Sequence, residues 1–149
     1  MSPPASVEVQ RRVEWSDTDA AGHQHYTGVV RWLEVAETVL HERLGIAQTT
    51  FGRLPKVRIE VDYTDRILFR ETVTLSLRVV SAGRSSVRYD FEVRTDRGTA
   101  ARGGCVCVFS DPAEGGSRPW PAEIREALVT AGPQRPELLT AGEQQDQCW

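Results

Sequence analysis

From Val7 the chain alternates. Val7, Val9, Val13 and Trp15 are apolar, and Glu8, Gln10, Arg12 and Glu14 between them are polar. A period of two is what a strand with one buried face requires, so a first strand is expected to run to about Trp15. From Val29 the spacing changes. Val29, Leu33, Ala36, Leu40 and Leu44 recur at steps of three and four, Trp32 and Val39 widen the stripe, and Arg31, Glu34, Glu37 and Glu42 lie opposite. That pattern predicts an amphipathic helix of about four to five turns. Gly45 follows the last periodic residue, where glycine readily takes the left-handed conformation that ends a helix.

Alternation returns at Val57, Ile59, Val61 and Tyr63, then at Val73, Leu75, Leu77 and Val79, then at Val87, Tyr89, Phe91 and Val93. "SAGRS" and "TDRGT" put glycine and aspartate where tight reversals are needed. The segments 72–80, 87–94 and 99–110 therefore read as an antiparallel meander. The last of them is apolar on both faces near Val106 and Val108, as a central or interface strand would be. About five such strands and one amphipathic helix predict an α+β domain, its curled antiparallel sheet covering the helix. Beyond Asp111, "PWPAEIREALVTAG" predicts a short helix from Ala122, with proline ahead of it and glycine behind. Residues 1–132 read as one domain, and 133–149, which lack a sustained period, as a mobile tail.

A length of 149 residues suits that one domain. The net charge of −3 supplies no basic field for a sequence-independent grip on nucleic acid. No apolar run approaches the length of a membrane span, and the N-terminal stretch lacks the basic-then-apolar order of a secretory signal. A cytoplasmic protein with neither a membrane nor a nucleic-acid partner is expected. Cys105 and Cys107 alternate on a predicted strand and Cys148 lies in the tail, so neither a disulfide framework nor a C-x-x-C knuckle is present. The cysteines read as small hydrophobes.

Periodicity leaves unexplained the stretch "WSDTDAAGHQHYTGVVRW", Trp15 to Trp32, where two aspartates, two histidines and a tyrosine crowd one connection. Asp17 is read as turn chemistry, because aspartate bonds nearby backbone amides ahead of helices. Asp-x-Asp also occurs in Mg²⁺ sites beside phosphates, but no glycine-rich phosphate loop accompanies it here. His23 and His25 invite a zinc reading. The third candidate, His41, has Leu44, Thr38 and Glu37 as its helical neighbours, which is not a ligand set. No metal or redox cofactor is expected. Asp19 stands a few residues ahead of a helix whose first N–H groups lack intrahelical partners. Such groups polarise a carbonyl or hold an oxyanion, and a carboxylate facing them acts as nucleophile or general base. The combination points to acyl-group chemistry.

"RVEWSDTDAAGHQHYTGVVRWLEVAE", Arg12 to Glu37, resembles the signature of the hotdog-fold acyl-CoA thioesterases of the 4-hydroxybenzoyl-CoA thioesterase type. The shared features are a strand ending in Asp-x-Asp, a glycine-containing turn, an aromatic-rich stretch, and Arg-Trp opening the long helix. A looser likeness extends to about Asp111. The resemblance implies a hotdog fold, a sheet of about five strands wrapped around one long helix. It also implies cofactor-free hydrolysis of an acyl-CoA or acyl-carrier-protein thioester to a free acid and a thiol. By the same resemblance Asp19 carries catalysis, the Tyr26 N–H polarises the carbonyl, and Gly22, His25 and Thr27 belong to the substrate site. The resemblance also implies that this site lies at the interface of a homodimer or homotetramer. "AGRSSV" reads equally as a hairpin turn or as a contact to pantetheine or phosphate through Arg84, Ser85 and Ser86. Two other functions stay open: a hotdog dehydratase pairing His23 or His25 with Asp19 on a hydroxyacyl thioester, and a non-catalytic module that binds acyl thioesters.

Overall fold

The computed structural model describes residues 2–139. Its elements are β1 (Ser6–Arg12), α1 (Gly28–Arg43), α2 (Ala47–Thr50), β2 (Lys56–Tyr63), β3 (Thr72–Ala82), β4 (Ser86–Thr95), β5 (Gly98–Val108) and α3 (Ala122–Thr130). The strands form one antiparallel sheet in the order β1-β3-β4-β5-β2. The expected meander is β3–β4–β5, with β1 and β2 added at opposite edges.

Register explains why one face of this sheet is apolar. Val7 pairs with Leu77 and Leu77 with Phe91, so alternate residues of neighbouring strands line up in rows. These rows are buried, and the α1 stripe of Val29, Trp32, Leu33, Ala36, Val39 and Leu40 is buried with them. Each large aliphatic side chain removed from water contributes roughly 1.5–3 kcal/mol. At the end of α1, Gly45 takes φ +73°, and the Ile46 N–H reaches back to the His41 carbonyl at 3.0 Å. This is the left-handed stop predicted from the glycine.

Both sheet edges meet α1. The helix packs on β1 and β3, while Lys56 at the start of β2 reaches Glu37 on the helix at 2.9 Å. A sheet whose opposite edges touch one helix is curled around it. Gly103 permits part of that closure: a Cβ there would lie 1.9 Å from the Glu60 carbonyl oxygen. Within the core, His41 is held by Thr50 Oγ1 and by the Tyr89 hydroxyl, each at 2.7 Å. Burial lowers the pKa of that imidazole, which favours its neutral form. The short α2, which periodicity did not predict, is what delivers Thr50.

Three sequence expectations change. The first strand stops at Arg12, because the chain makes a 3-10 turn over Trp15–Asp17, in which the Asp17 carboxylate accepts the Glu14 N–H at 2.8 Å. Trp15, expected to be buried, is 70% exposed. β2 forms as predicted, but its apolar positions Val57, Ile59 and Tyr63 are exposed, since β2 is an edge strand that α1 only partly covers. Finally, part of the expected tail is paired with β1. Gln134 N–H donates to the Ser6 carbonyl, Glu137 N–H to Glu8, and Gln10 N–H to Glu137, at 2.8–3.0 Å. The remainder of that expectation, 140–149, lies outside the described residues.

Each net backbone hydrogen bond contributes about 0.5–1.5 kcal/mol, partly offset by the entropy of ordering the segment. A chain ending at residue 132 is therefore expected to unfold about 1–3 kcal/mol more easily than one ending at residue 139. Urea denaturation of the two chains checks this, and equal midpoints would show that the pairing contributes nothing.

Candidate catalytic site

The connection between β1 and α1 folds back on itself. Asp19 N–H donates to the His23 carbonyl at 3.0 Å and His25 N–H to the Asp17 carbonyl at 2.6 Å, and Thr18 bridges Gln24 between them. Residues 17–19 thus run antiparallel to 23–25. The reversal is closed by Gly22, whose φ of +85° suits a residue without a Cβ. A second loop clamps this hairpin: Gln24 N–H donates to the Ile67 carbonyl at 2.7 Å, and His23 bridges Leu68.

Asp17 anchors the whole connection. Its carboxylate accepts the Glu14 N–H at 2.8 Å and meets the Arg31 guanidinium of α1 at 2.9 Å. It is buried, and buried carboxylates need such partners. The turn-chemistry reading of Asp17 is what the geometry shows.

Asp19, two residues on, is exposed. Its Oδ1 accepts the Ala21 N–H at 2.9 Å, an Asx-turn that fixes the side chain. Oδ2 has no hydrogen-bond partner among the described residues. The carboxylate borders a hollow of ≈ 390 Å³ lined by Trp15, Thr18, Asp19, Ala20 and Gly22.

At the helix start the backbone is also held in place. Gly28 N–H donates to the His25 carbonyl at 2.8 Å, and the Tyr63 hydroxyl donates to the Tyr26 carbonyl. Thr27 N–H donates to His25 Nδ1 at 3.2 Å, so Nδ1 is an acceptor and the Thr27 hydroxyl, 2.8 Å away, donates to it too. That leaves the ring proton on Nε2. Because its hydroxyl is spent on His25, Thr27 makes no side-chain cap on α1. The Tyr26 N–H has no hydrogen-bond partner among the described residues. Tyr26 lies three residue steps along the hairpin from His23, the partner of Asp19, about 10 Å of backbone at the rise of a strand. Beside them Gln24 Oε1 is buried without a partner among the described residues, 3.3 Å from where a Cβ on Gly28 would lie.

One connection therefore brings together Asp19, Gly22, His25, Tyr26 and Thr27. Arg84, Ser85 and Ser86 are not near them within the chain. Arg84 and Ser85 lie in the β3–β4 turn and Ser86 opens β4, at the far end of an 11-residue strand that spans roughly 35 Å. That turn is packed as a hairpin: Gly83 N–H donates to the Ser86 carbonyl at 2.9 Å, and Trp120 N–H to the Arg84 carbonyl at 2.9 Å. A larger cavity, ≈ 530 Å³, runs along α1 and is lined by Glu34, Glu37, His41, Phe51 and Lys56 among others. Among the described residues no three His, Cys, Asp or Glu side chains are grouped to hold a metal. Periodicity missed Arg31 as the partner of Asp17 and Tyr63 as the partner of Tyr26. The only local hint of the latter was a tyrosine closing the "EVDY" strand.

Residues 13–128 match the thioesterase-like superfamily. No curated protein matches the chain by sequence. Among solved structures, the chain is similar to the PA2801 protein of Pseudomonas aeruginosa at 28% identity and a TM-score of 0.74, covering 83% of this chain and 98% of that one. A predicted thioesterase of Bacillus stearothermophilus is 26% identical, with a TM-score of 0.75 and coverage of 83% and 93%. A thioesterase of Thermus thermophilus, complexed with coenzyme A and Zn, is 30% identical, with a TM-score of 0.71 and coverage of 80% and 90%. The five-stranded curled sheet is consistent with the hotdog fold.

Removing the Asp17 carboxylate strands the Glu14 N–H and frees the start of α1. Asp17→Ala is expected to cost about 1–3 kcal/mol of stability, mostly through that N–H, because Arg31 is half exposed and its ion pair adds little. Chemical denaturation measures the loss, and an unchanged midpoint would remove Asp17 from its anchoring role.

Proposed function

The chain belongs to the thioesterase-like superfamily and is a thioester hydrolase, and we propose that it cleaves an acyl-CoA thioester using Asp19 and the Tyr26 N–H. The observation that carries this reading is that one connection presents a carboxylate oxygen and a backbone N–H, both unbonded among the described residues, at the positive end of a 16-residue helix. As a nucleophile, Asp19 Oδ2 adds to the thioester carbon, the thiolate departs, and water hydrolyses the resulting anhydride. As a general base, Oδ2 takes a proton from the water that attacks. In both routes negative charge develops on the carbonyl oxygen, where the Tyr26 N–H and the helix dipole stabilise it. An acyl-carrier-protein thioester would present the same bond. His25 does not suit the base of the dehydratase alternative, because its lone-pair nitrogen Nδ1 is committed to Thr27; the form of that alternative that uses His23 is untouched by this.

Gly22, His25 and Thr27 contribute to the substrate site in this reading by shaping the wall that carries Tyr26. Arg84, Ser85 and Ser86 contribute from a second copy of the chain. β2 is an edge with its apolar Val57 and Ile59 uncovered, and an unpaired apolar edge strand favours pairing with another chain. Antiparallel pairing of two β2 edges reverses the partner sheet, which brings the partner's β3–β4 turn to the end that carries Asp19. A homodimer, or a homotetramer built from it, supplies that arrangement.

Asp19→Asn preserves shape but removes the basic oxygen, so kcat is expected to fall about 10²–10⁴-fold with KM changed far less. The assay follows thiol release from a panel of acyl-CoA thioesters, with folding and oligomeric state matched. Near-wild-type turnover would sink the assignment of Asp19. Sedimentation at micromolar concentration is expected to show a dimer or tetramer, and Val57→Asp to shift it towards monomer with lost activity. A wild-type monomer of full activity would count decisively against the shared site.

A further inference from the structure

We propose that Tyr63 is a positioning residue for the hydrolysis: its hydroxyl, bonded to the Tyr26 carbonyl, holds the helix-start peptide so that the Tyr26 N–H meets the substrate carbonyl. This rests on the reading of Asp19 and Tyr26 given above. Tyr26 belongs to neither a strand nor a helix, so no ladder of backbone bonds sets its orientation. Its side chain is 67% exposed and its ring packs on that of the adjacent His25, centroids 4.3 Å apart, so this packing ties it to the connection and not to the sheet. The other bonds around it, His25 N–H to Asp17, Gly28 N–H to His25 and Thr27 N–H to His25 Nδ1, all lie within the connection itself. Tyr63, the last residue of β2, is what ties Tyr26 to the sheet.

The two peptide groups flanking Tyr26 are thereby fixed separately. The peptide ahead, which carries the Tyr26 N–H, is held through the His25 carbonyl by Gly28. The peptide behind, which carries the Tyr26 carbonyl, is held by the Tyr63 hydroxyl. With both held, the N–H has one direction in which to point. A donor that need not reorganise as charge develops is worth far more than a mobile one. Burial, and next to it the neighbouring Tyr26 phenol, raise the pKa of the Tyr63 hydroxyl. It therefore stays protonated, as donation requires.

The test uses the full-length protein and Tyr63→Phe, which removes only the hydroxyl. Turnover of the best acyl-CoA in the panel is expected to fall about 5–50-fold, below the loss from deleting an oxyanion donor outright, while KM stays within about threefold, as for an interaction made in the transition state. The direct readout is the infrared band of an isotope-labelled carbonyl in the carba-dethia ketone analogues of benzoyl-CoA and hexanoyl-CoA. On the wild-type protein that band is expected below its position in water, and on Tyr63→Phe it moves back towards the water value. Replacing Tyr63 with para-aminophenylalanine, which keeps a donor, is expected to restore both the band and turnover. Melting temperature and sedimentation are matched across the variants, since Tyr63 sits on the exposed edge. A band and turnover unchanged in Tyr63→Phe overturn the proposal. Slower turnover with an unmoved band also overturns it, assigning the loss to packing. A wild-type band that never shifts on binding overturns the Tyr26 reading itself, and this proposal with it.

Discussion

The site depends on the short antiparallel contact that lays residues 17–19 against 23–25, and that contact depends on one buried carboxylate. A carboxylate withdrawn from water costs several kcal/mol unless it is paired and hydrogen-bonded. Asp17 meets the condition with the Glu14 N–H on one side and Arg31 of α1 on the other, while its backbone carbonyl takes the His25 N–H. The same residue therefore ends the run of β1, closes the hairpin and orients the first turn of α1. Given those constraints, the segment that carries Asp19 has little freedom left, and Tyr63 holds Tyr26 from the sheet.

Two aspartates of one Asp-x-Asp pair consequently live in opposite environments. Asp17 is buried and fully engaged, which suits a structural role. Asp19 is exposed and keeps one oxygen unbonded among the described residues, which suits contact with a substrate. Neither half works alone, because a free carboxylate on a mobile loop would not hold its distance to the helix start. The hollow beside Asp19 is open in the single chain, so exclusion of water during the reaction calls for cover. In the proposed assembly that cover is a second copy.

The two edges of the sheet are treated differently, and this bears on where such a copy binds. Residues 133–137 hydrogen-bond along the free side of β1, which blunts that edge in the way edge strands are commonly protected. The β2 edge has no such cover among the described residues and displays Val57 and Ile59. Tyr63 stands at the end of the same strand and bonds the helix start. The edge proposed for assembly and the site proposed for chemistry are thus joined through one strand.

Much of this architecture is written in local pattern. The rows of β3, β4 and β5, the stripe of α1 and its stop at Gly45 each depend on residues a few positions apart, so period and turn chemistry suffice to read them. Asp19 and the uncapped helix start are local in the same sense, and the likeness of 12–37 to known thioesterases reinforced them. Other features were not readable there. Trp15 continues the strand alternation yet lies outside, because the bond from the Glu14 N–H to the Asp17 carboxylate, which spans Trp15, turns the chain out of the strand. Val57, Ile59 and Tyr63 have the pattern of a buried face, but burial requires a covering element, and the order β1-β3-β4-β5-β2 left them at an edge. The pairing of 133–137 with β1, of Arg31 with Asp17 and of Tyr63 with Tyr26, and the distance of Arg84 from Asp19, all follow from which segments the sheet makes neighbours. Periodicity specifies the face a residue presents, whereas long-range strand order specifies what that face meets.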